Sequence, residues 1–235
     1  MSNITYGRGQ VEQALWRTFT RGRSGYSETP PKVFLTRVKR LLDIDRDLDL
    51  SDREVQPTDD FAFVAPPEKR GGEVAFSPFD AFCLAVALDL LDAGFKQSEV
   101  VYLMRFLRAE LESRFESLVE APDLNARRRY MASDYPSCPK EQRGDKTYAD
   151  PRVFVLIKKF EILEALPSPK AARHIDPLFL QPEVCRGVDE LGKKLSQSMP
   201  AHRRVVTVVE LTATAQSVCK TLEDTPEIRR GRPKS

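Results

Sequence analysis

Histidine is scarce: His174 and His202 are the two in 235 residues, so acid–base catalysis near neutral pH would need an unusually tuned carboxylate or lysine. The four cysteines, Cys83, Cys138, Cys185 and Cys219, include no C-x-x-C pair, and with so few histidines beside them no zinc site is readable. No run approaches the roughly 20 apolar residues that cross a bilayer, and the first residues carry no apolar signal core. The expectation is therefore a cytoplasmic chain with reduced thiols and no membrane contact, in which Cys83 fills space inside an apolar helix. P-loop and Gly-x-Ser-x-Gly patterns are absent as well. The acid pairs Asp43/Asp45, Asp47/Asp49 and Asp59/Asp60 lie in a polar connector without a lysine-bearing strand, and read as solvated acids rather than a two-metal nuclease centre. No catalytic residue, metal or cofactor is expected.

Charge of one sign is also lacking overall. The 37 basic and 35 acidic residues nearly cancel, so a surface for an anionic partner has to come from local segregation. Arg21 and Arg23, the stretch Lys32 to Arg40, Arg127 to Arg129 and the last seven residues supply it. A hydrophobic content of 41% suffices for a sizeable core, and the length allows one large or two small domains.

Apolar spacing places a first helix over Gln10–Thr20, through Val11, Ala14, Leu15 and Phe19. Thr29-Pro30-Pro31 then caps a second, about Pro31–Leu42, with Phe34, Val38 and Leu41 on one face. Its other side carries Lys32, Thr36, Lys39 and Arg40, with Arg37 nearby, a pattern suited to a helix whose back meets a core and whose front meets phosphates. Asp43–Asp60 reads as an exposed acidic connector. Phe61–Val64 and Glu73–Phe76 read as two strands around a loop with Lys69 and Arg70 at its tip.

Ser77-Pro78-Phe79-Asp80 opens a core helix that Gly94 ends, and Gln97–Val119 is a long amphipathic helix whose Val100, Met104, Leu107, Leu111 and Leu118 form a near-heptad seam. Such a seam either packs within its own domain or joins two copies. Polar residues over 122–150 mark a linker. Beyond them come a strand candidate at Val153–Ile157, for which a helix through Leu166 is the alternative because so short an apolar run fits either period, then strand Leu178–Leu180, helix Glu183–Met199, strand Arg204–Leu211 and helix Thr214–Leu222.

Two resemblances follow. The terminal Arg229-Arg230-Gly231-Arg232-Pro233-Lys234 resembles the AT-hook, in which glycine reaches the floor of a narrow minor groove, proline keeps the chain extended and arginines meet A·T acceptor edges. The order strand, basic loop, strand, Ser-Pro-capped helix, Ala93-Gly94-Phe95-Lys96-Gln97-Ser98-Glu99 and long helix over 61–119 is similar to the second half of the winged helix-turn-helix domain of the MerR transcription regulators. That family begins with a tight helix-turn-helix, whereas here about ten residues with two glycines and two prolines part the first two helices.

The expected fold is α+β. A mainly helical winged-helix domain with a two-stranded wing occupies 1–121, a linker 122–150, a small α+β dimerisation or regulatory module 151–224, and a basic tail 225–235. The resemblances imply a regulator of transcription that binds double-stranded DNA as a homodimer. Lys32, Thr36, Arg37, Lys39 and Arg40 then face the major groove or its phosphates, Lys69 and Arg70 touch backbone, and Arg229, Arg230, Gly231, Arg232, Pro233 and Lys234 enter the minor groove. The alternative is an adaptor that docks a protein through the helix pair 77–119 without specific DNA binding.

Overall fold

The computed structural model describes residues 4–49, 57, 60–66, 74–122, 150–160, 181–197 and 204–228. Among them the fold is α+β and mostly helical, with six helices and two small antiparallel sheets.

The first helix, α1 (Arg8–Thr20), buries Val11, Ala14 and Leu15 as its spacing predicts. It is preceded by a strand that the sequence does not announce, β1 (Tyr6–Gly7), paired antiparallel with β2 (Ala75–Phe76). The turn-rich connector after α1 is tied back to it: Trp16 Nε1 donates to the Ser27 carbonyl at 2.7 Å, and Gln13 Nε2 to that of Glu28 at 2.6 Å. The Trp16 ring meets Tyr26 and Phe34 edge-on, joining α1, the connector and the second helix.

That second helix, α2 (Lys32–Asp47), runs one turn and more past its expected end at Leu42. Asp43 to Asp47 are therefore helical rather than part of an exposed connector, and the reason is Asp45. Only 2% exposed, it continues the buried row of Phe34, Val38, Leu41 and Leu42, and its carboxylate accepts from the amides of Ala62 (2.9 Å) and Phe63 (3.1 Å) and from Arg105 Nε (3.0 Å). Arg105 also donates to the carbonyls of Asp45 and Leu48, which closes the helix end.

The same network displaces an expected strand. Phe61–Val64 is not extended in a sheet, and β2 takes β1 as its partner instead. Ala62 and Phe63 have no need of a ladder, because their amides bond Asp45 and their carbonyls accept from Arg108 at 3.1 and 2.5 Å. The hairpin of Phe61–Val64 with Glu73–Phe76 is thus corrected, while its proposed tip, Lys69 and Arg70, lies outside the described residues.

Next, α3 (Pro78–Asp92) has the capping box that its sequence foretells: Ser77 Oγ accepts from the Asp80 amide at 3.1 Å, and Asp80 Oδ2 accepts from the Ser77 amide at 2.8 Å. At its far end Gly94, at φ 90°, turns the chain, its amide bonding the Leu91 carbonyl and that of Phe95 the Leu90 carbonyl. Helix α3 is buried on nearly every side from Phe79 to Leu88, which makes it the central element. The long α4 (Gln97–Val119) buries Val100, Met104, Leu107, Leu111 and Leu118 within the chain, so its seam is filled intramolecularly.

The second sheet has the order β4-β3-β5, from β3 (Val153–Phe160), β4 (Glu183–Arg186) and β5 (Arg204–Glu210). Glu183 to Arg186 were expected to begin a helix. They pair instead with Val153–Leu156, and α5 (Gly187–Ser196) starts only at Gly187, whose φ of 76° turns the chain. The strand expected at Leu178–Leu180 lies outside the described residues. The last helix, α6 (Thr212–Glu223), packs on α1, α3 and α4. One apolar cluster includes Val11 of α1, Phe82 of α3, Val155 of β3 and Leu222 of α6, so helices from the front of the chain and the sheet share a core. The linker expected over 122–150 is almost wholly outside the described residues.

Candidate nucleic-acid interface

Because α2 turns Phe34, Val38, Leu41, Leu42 and Asp45 inward, its 3.6-residue period throws Lys32, Val33, Thr36, Lys39 and Arg40 outward, and all five are exposed. No acid occurs between Lys32 and Arg40, and none stands in the helix's first turn. The positive end of the helix dipole and the basic side chains therefore act in the same sense on an approaching anion. Asp43 and Asp47, further along, limit this basic surface to the first half of the helix.

The five α2 residues expected to contact DNA are not equivalent. Lys32, Lys39 and Arg40 stand in solvent. Thr36 Oγ1 donates to the Lys32 carbonyl at 2.8 Å, which leaves the hydroxyl oxygen able to accept. Arg37 points sideways and is held by Asp92 of α3 at 2.5 Å, a pair whose side chains are 33% and 61% exposed. An ion pair so open to water is weak, yet it orients Arg37 toward the end of α3 rather than the front of α2.

The acids around that contact repel one another. Burial, with the negative charges of Asp92 and Glu210 added, pushes the Asp89 carboxyl up to about 7. Glu210 itself accepts from the Thr212 and Ala213 amides at 2.9 and 3.0 Å, capping α6.

One residue of the front escaped sequence reasoning. Val33 is 73% exposed between Lys32 and the Thr36–Arg40 row, the largest exposure among the bulky apolar side chains described. Its position one residue before Phe34, on the turn of the helix opposite the apolar row, is the signal that marks it. An isopropyl group amid cations suits contact with a thymine methyl in a major groove.

Further basic residues flank this face along the chain: Arg17 near the end of α1, and Arg21 and Arg23 in the connector, are all exposed. Arg229, Arg230, Gly231, Arg232, Pro233 and Lys234, like Lys69 and Arg70, lie outside the described residues. The point from which the tail departs is fixed, however. Gln10 Nε2 donates to the Thr225 carbonyl at 2.6 Å, and Ile228 lies so near the start of α1 that a Cβ on Gly9 would meet it at 3.4 Å. The helix pair of the adaptor alternative, α3 and α4, offers less: α3 is buried, and the apolar row of α4 faces inward.

Among the described residues no group of three or more potential metal ligands occurs, and no helix is long and apolar enough to span a membrane. What the fold defines is a class: a mostly helical α+β protein with a basic, acid-free helix end on its surface. No known protein family, curated protein or solved structure matches the chain.

Proposed function

We propose that this protein binds double-stranded DNA as a regulator of transcription, with the first half of α2 set in the major groove or on its flanking phosphates, and the basic tail in an adjoining A·T-rich minor groove. The observation that carries this reading is the outward face of α2, where Lys32, Thr36, Lys39 and Arg40 surround an exposed Val33 with no acid among them. Lys32, Lys39 and Arg40 serve as phosphate contacts, and Thr36 and Val33 meet base edges. Arg37 supports the face from the side through Asp92. The winged-helix likeness, drawn from the sequence order over 61–119, contributes the packed helix pair α3 and α4, while Lys69 and Arg70 lie outside the described residues.

Reach supports the second contact. From Gly9, beside Ile228, to Trp16, against Phe34 of α2, the chain rises about 10 Å along α1. The seven residues after Ile228 span up to about 24 Å when extended, enough to follow a groove next to the one α2 occupies. A tethered weak contact then adds to affinity through effective concentration.

The test is fluorescence anisotropy with a genomic duplex library and its selected site. Lys39→Glu with Arg40→Glu, both at exposed positions, should leave the thermal midpoint unchanged and reduce affinity at least about 30-fold at low salt, at roughly 1–3 kcal/mol per contact. Wild-type affinity in this variant removes α2 from the interface.

A further inference from the structure

The outer layer of the three-stranded sheet carries a second exposed surface. Across β3, Leu156 stands opposite Glu183 of β4 and Val208 of β5, so the three share one face of the sheet, the face opposite Val155 and the core. Lys194 of α5 bonds Glu183 at 2.6 Å, which seats α5 on that outer face. The helix turns Gly187, Leu191 and Lys194 toward the strands. The flank about 100° round from that side shows Val188, Gly192 and Leu195, spaced i, i+4, i+7 and all exposed.

Val188 and Leu195 are each 48% exposed, and Val208 is 41% exposed. Gly192 lies between the first two, and no described atom comes within 4 Å of a Cβ built there. A glycine inside a helix weakens it relative to alanine, and no contact within the described residues requires one at this position. The absent side chain leaves room there for the backbone of another molecule.

Charge identifies that backbone. Beside the apolar row run Asp189 in the first turn and Lys193 in the last. When two such helices meet antiparallel about a two-fold axis, the same flank of each faces its counterpart, so Asp189 of one copy meets Lys193 of the other, and the reverse contact forms by symmetry. A parallel pairing would oppose like charges.

We propose that α5, with Val208 beside it on the sheet, is the surface through which two copies of this chain associate, antiparallel and two-fold symmetric. Gly192 lies near the axis, and Val188 and Leu195 pack against each other across it. A helix of this length is about 15 Å long. Alone it falls short of the roughly 800 Å² per partner of a stable complex, so the contact extends onto Val208 and the dimer dissociates in the micromolar range. The seam of α4, filled from within the chain, takes no part. This association does not depend on DNA binding.

The experiment is sedimentation equilibrium on the full chain, whose single-copy mass is 26.7 kDa. The wild type should rise toward twice that mass over roughly 1–100 μM. Asp189→Lys makes the flank wholly basic, and Lys193→Asp makes it wholly acidic. Each variant alone should dimerise at least about tenfold more weakly, because like charges now meet at two symmetric places. Mixed in equal amounts, the two should recover association as a mixed dimer, which no change of helix stability within one chain produces. Val188→Glu, at an exposed position, should weaken the dimer as well, with an unchanged circular dichroism spectrum. A wild type that remains single at 100 μM or so, variants that associate like the wild type, or a mixture that fails to recover would each overturn the proposal.

Discussion

Replacement of Asp45 by asparagine tests the network on which the placement of α2 depends. The side chain is 2% exposed and its two oxygens accept from the amides of Ala62 and Phe63 and from Arg105, at 2.9 to 3.1 Å. Asparagine is isosteric, but one oxygen becomes a donor group that confronts another donor, and the Arg105 guanidinium loses its counter-charge. Breaking one side of a buried ion pair costs about 3–5 kcal/mol. For a chain of this length each kilocalorie lowers the thermal midpoint by about 2–4 °C, so Asp45→Asn should lower it by roughly 10 °C. In urea the midpoint should fall while the slope stays the same, since the surface exposed on unfolding does not change. Asp45→Leu combined with Arg105→Met, which removes both charges, should recover at least about 2 kcal/mol relative to either single change. A loss below about 1 kcal/mol in Asp45→Asn, or simple additivity in the pair, would refute this role for the network.

Asp89 predicts a pH dependence. Its folded carboxyl is raised to about 7, so it favours the protonated fold; the stability it lends is fully present below about pH 4 and is lost as the pH rises through 7. Asp89→Asn should match the wild type near pH 4 and exceed it by about 4 kcal/mol near pH 8 in denaturant titrations, and an equal difference at both would contradict the assignment. Leu111→Ala in the α4 seam should cost about 2–5 kcal/mol through a cavity in the chain's own core, without altering its mass in sedimentation; dissociation of a dimer would return the seam to the interface. Gly94→Ala places a Cβ at a φ of 90° and should cost about 1–2 kcal/mol even though no described atom lies within 4 Å of it, measurable as a thermal shift.

Local signals carried much of the fold. Ser77-Pro78 and Gly94 bound α3 because caps and positive-φ turns are set by neighbouring residues, and the apolar period of α1, α2, α4 and α6 located those helices. What stayed hidden depended on partners far along the chain. Phe61–Val64 has the composition of a strand, but its backbone is satisfied by Asp45 and Arg108, at sequence separations of 17 to 46. Asp45 itself was legible in principle, since it falls on the apolar row at i+11 from Phe34, where an acid must be buried with a partner. On the outer side of α2, the period of the helix indicated the exposure of Lys32, Thr36, Lys39 and Arg40. It could not show that Arg37 would find Asp92, because that contact joins helices 55 residues apart. The start of α5 was missed because Val184 and Cys185 suit either a helix or a strand until β3 is there to pair with them.

The central claim is that α2 and the tail hold one duplex together. The most direct measurement titrates the full chain and a chain ending at Ile228 with A·T-rich and G·C-rich duplexes across a salt series. Removal of the tail should abolish the A·T preference, leave residual binding through α2, and reduce the slope of log K against log salt by about 0.9 for each phosphate that the tail had neutralised. Failure of the full chain to bind any duplex in dilute buffer, or identical behaviour of the two chains toward both duplexes at every salt concentration, would contradict it.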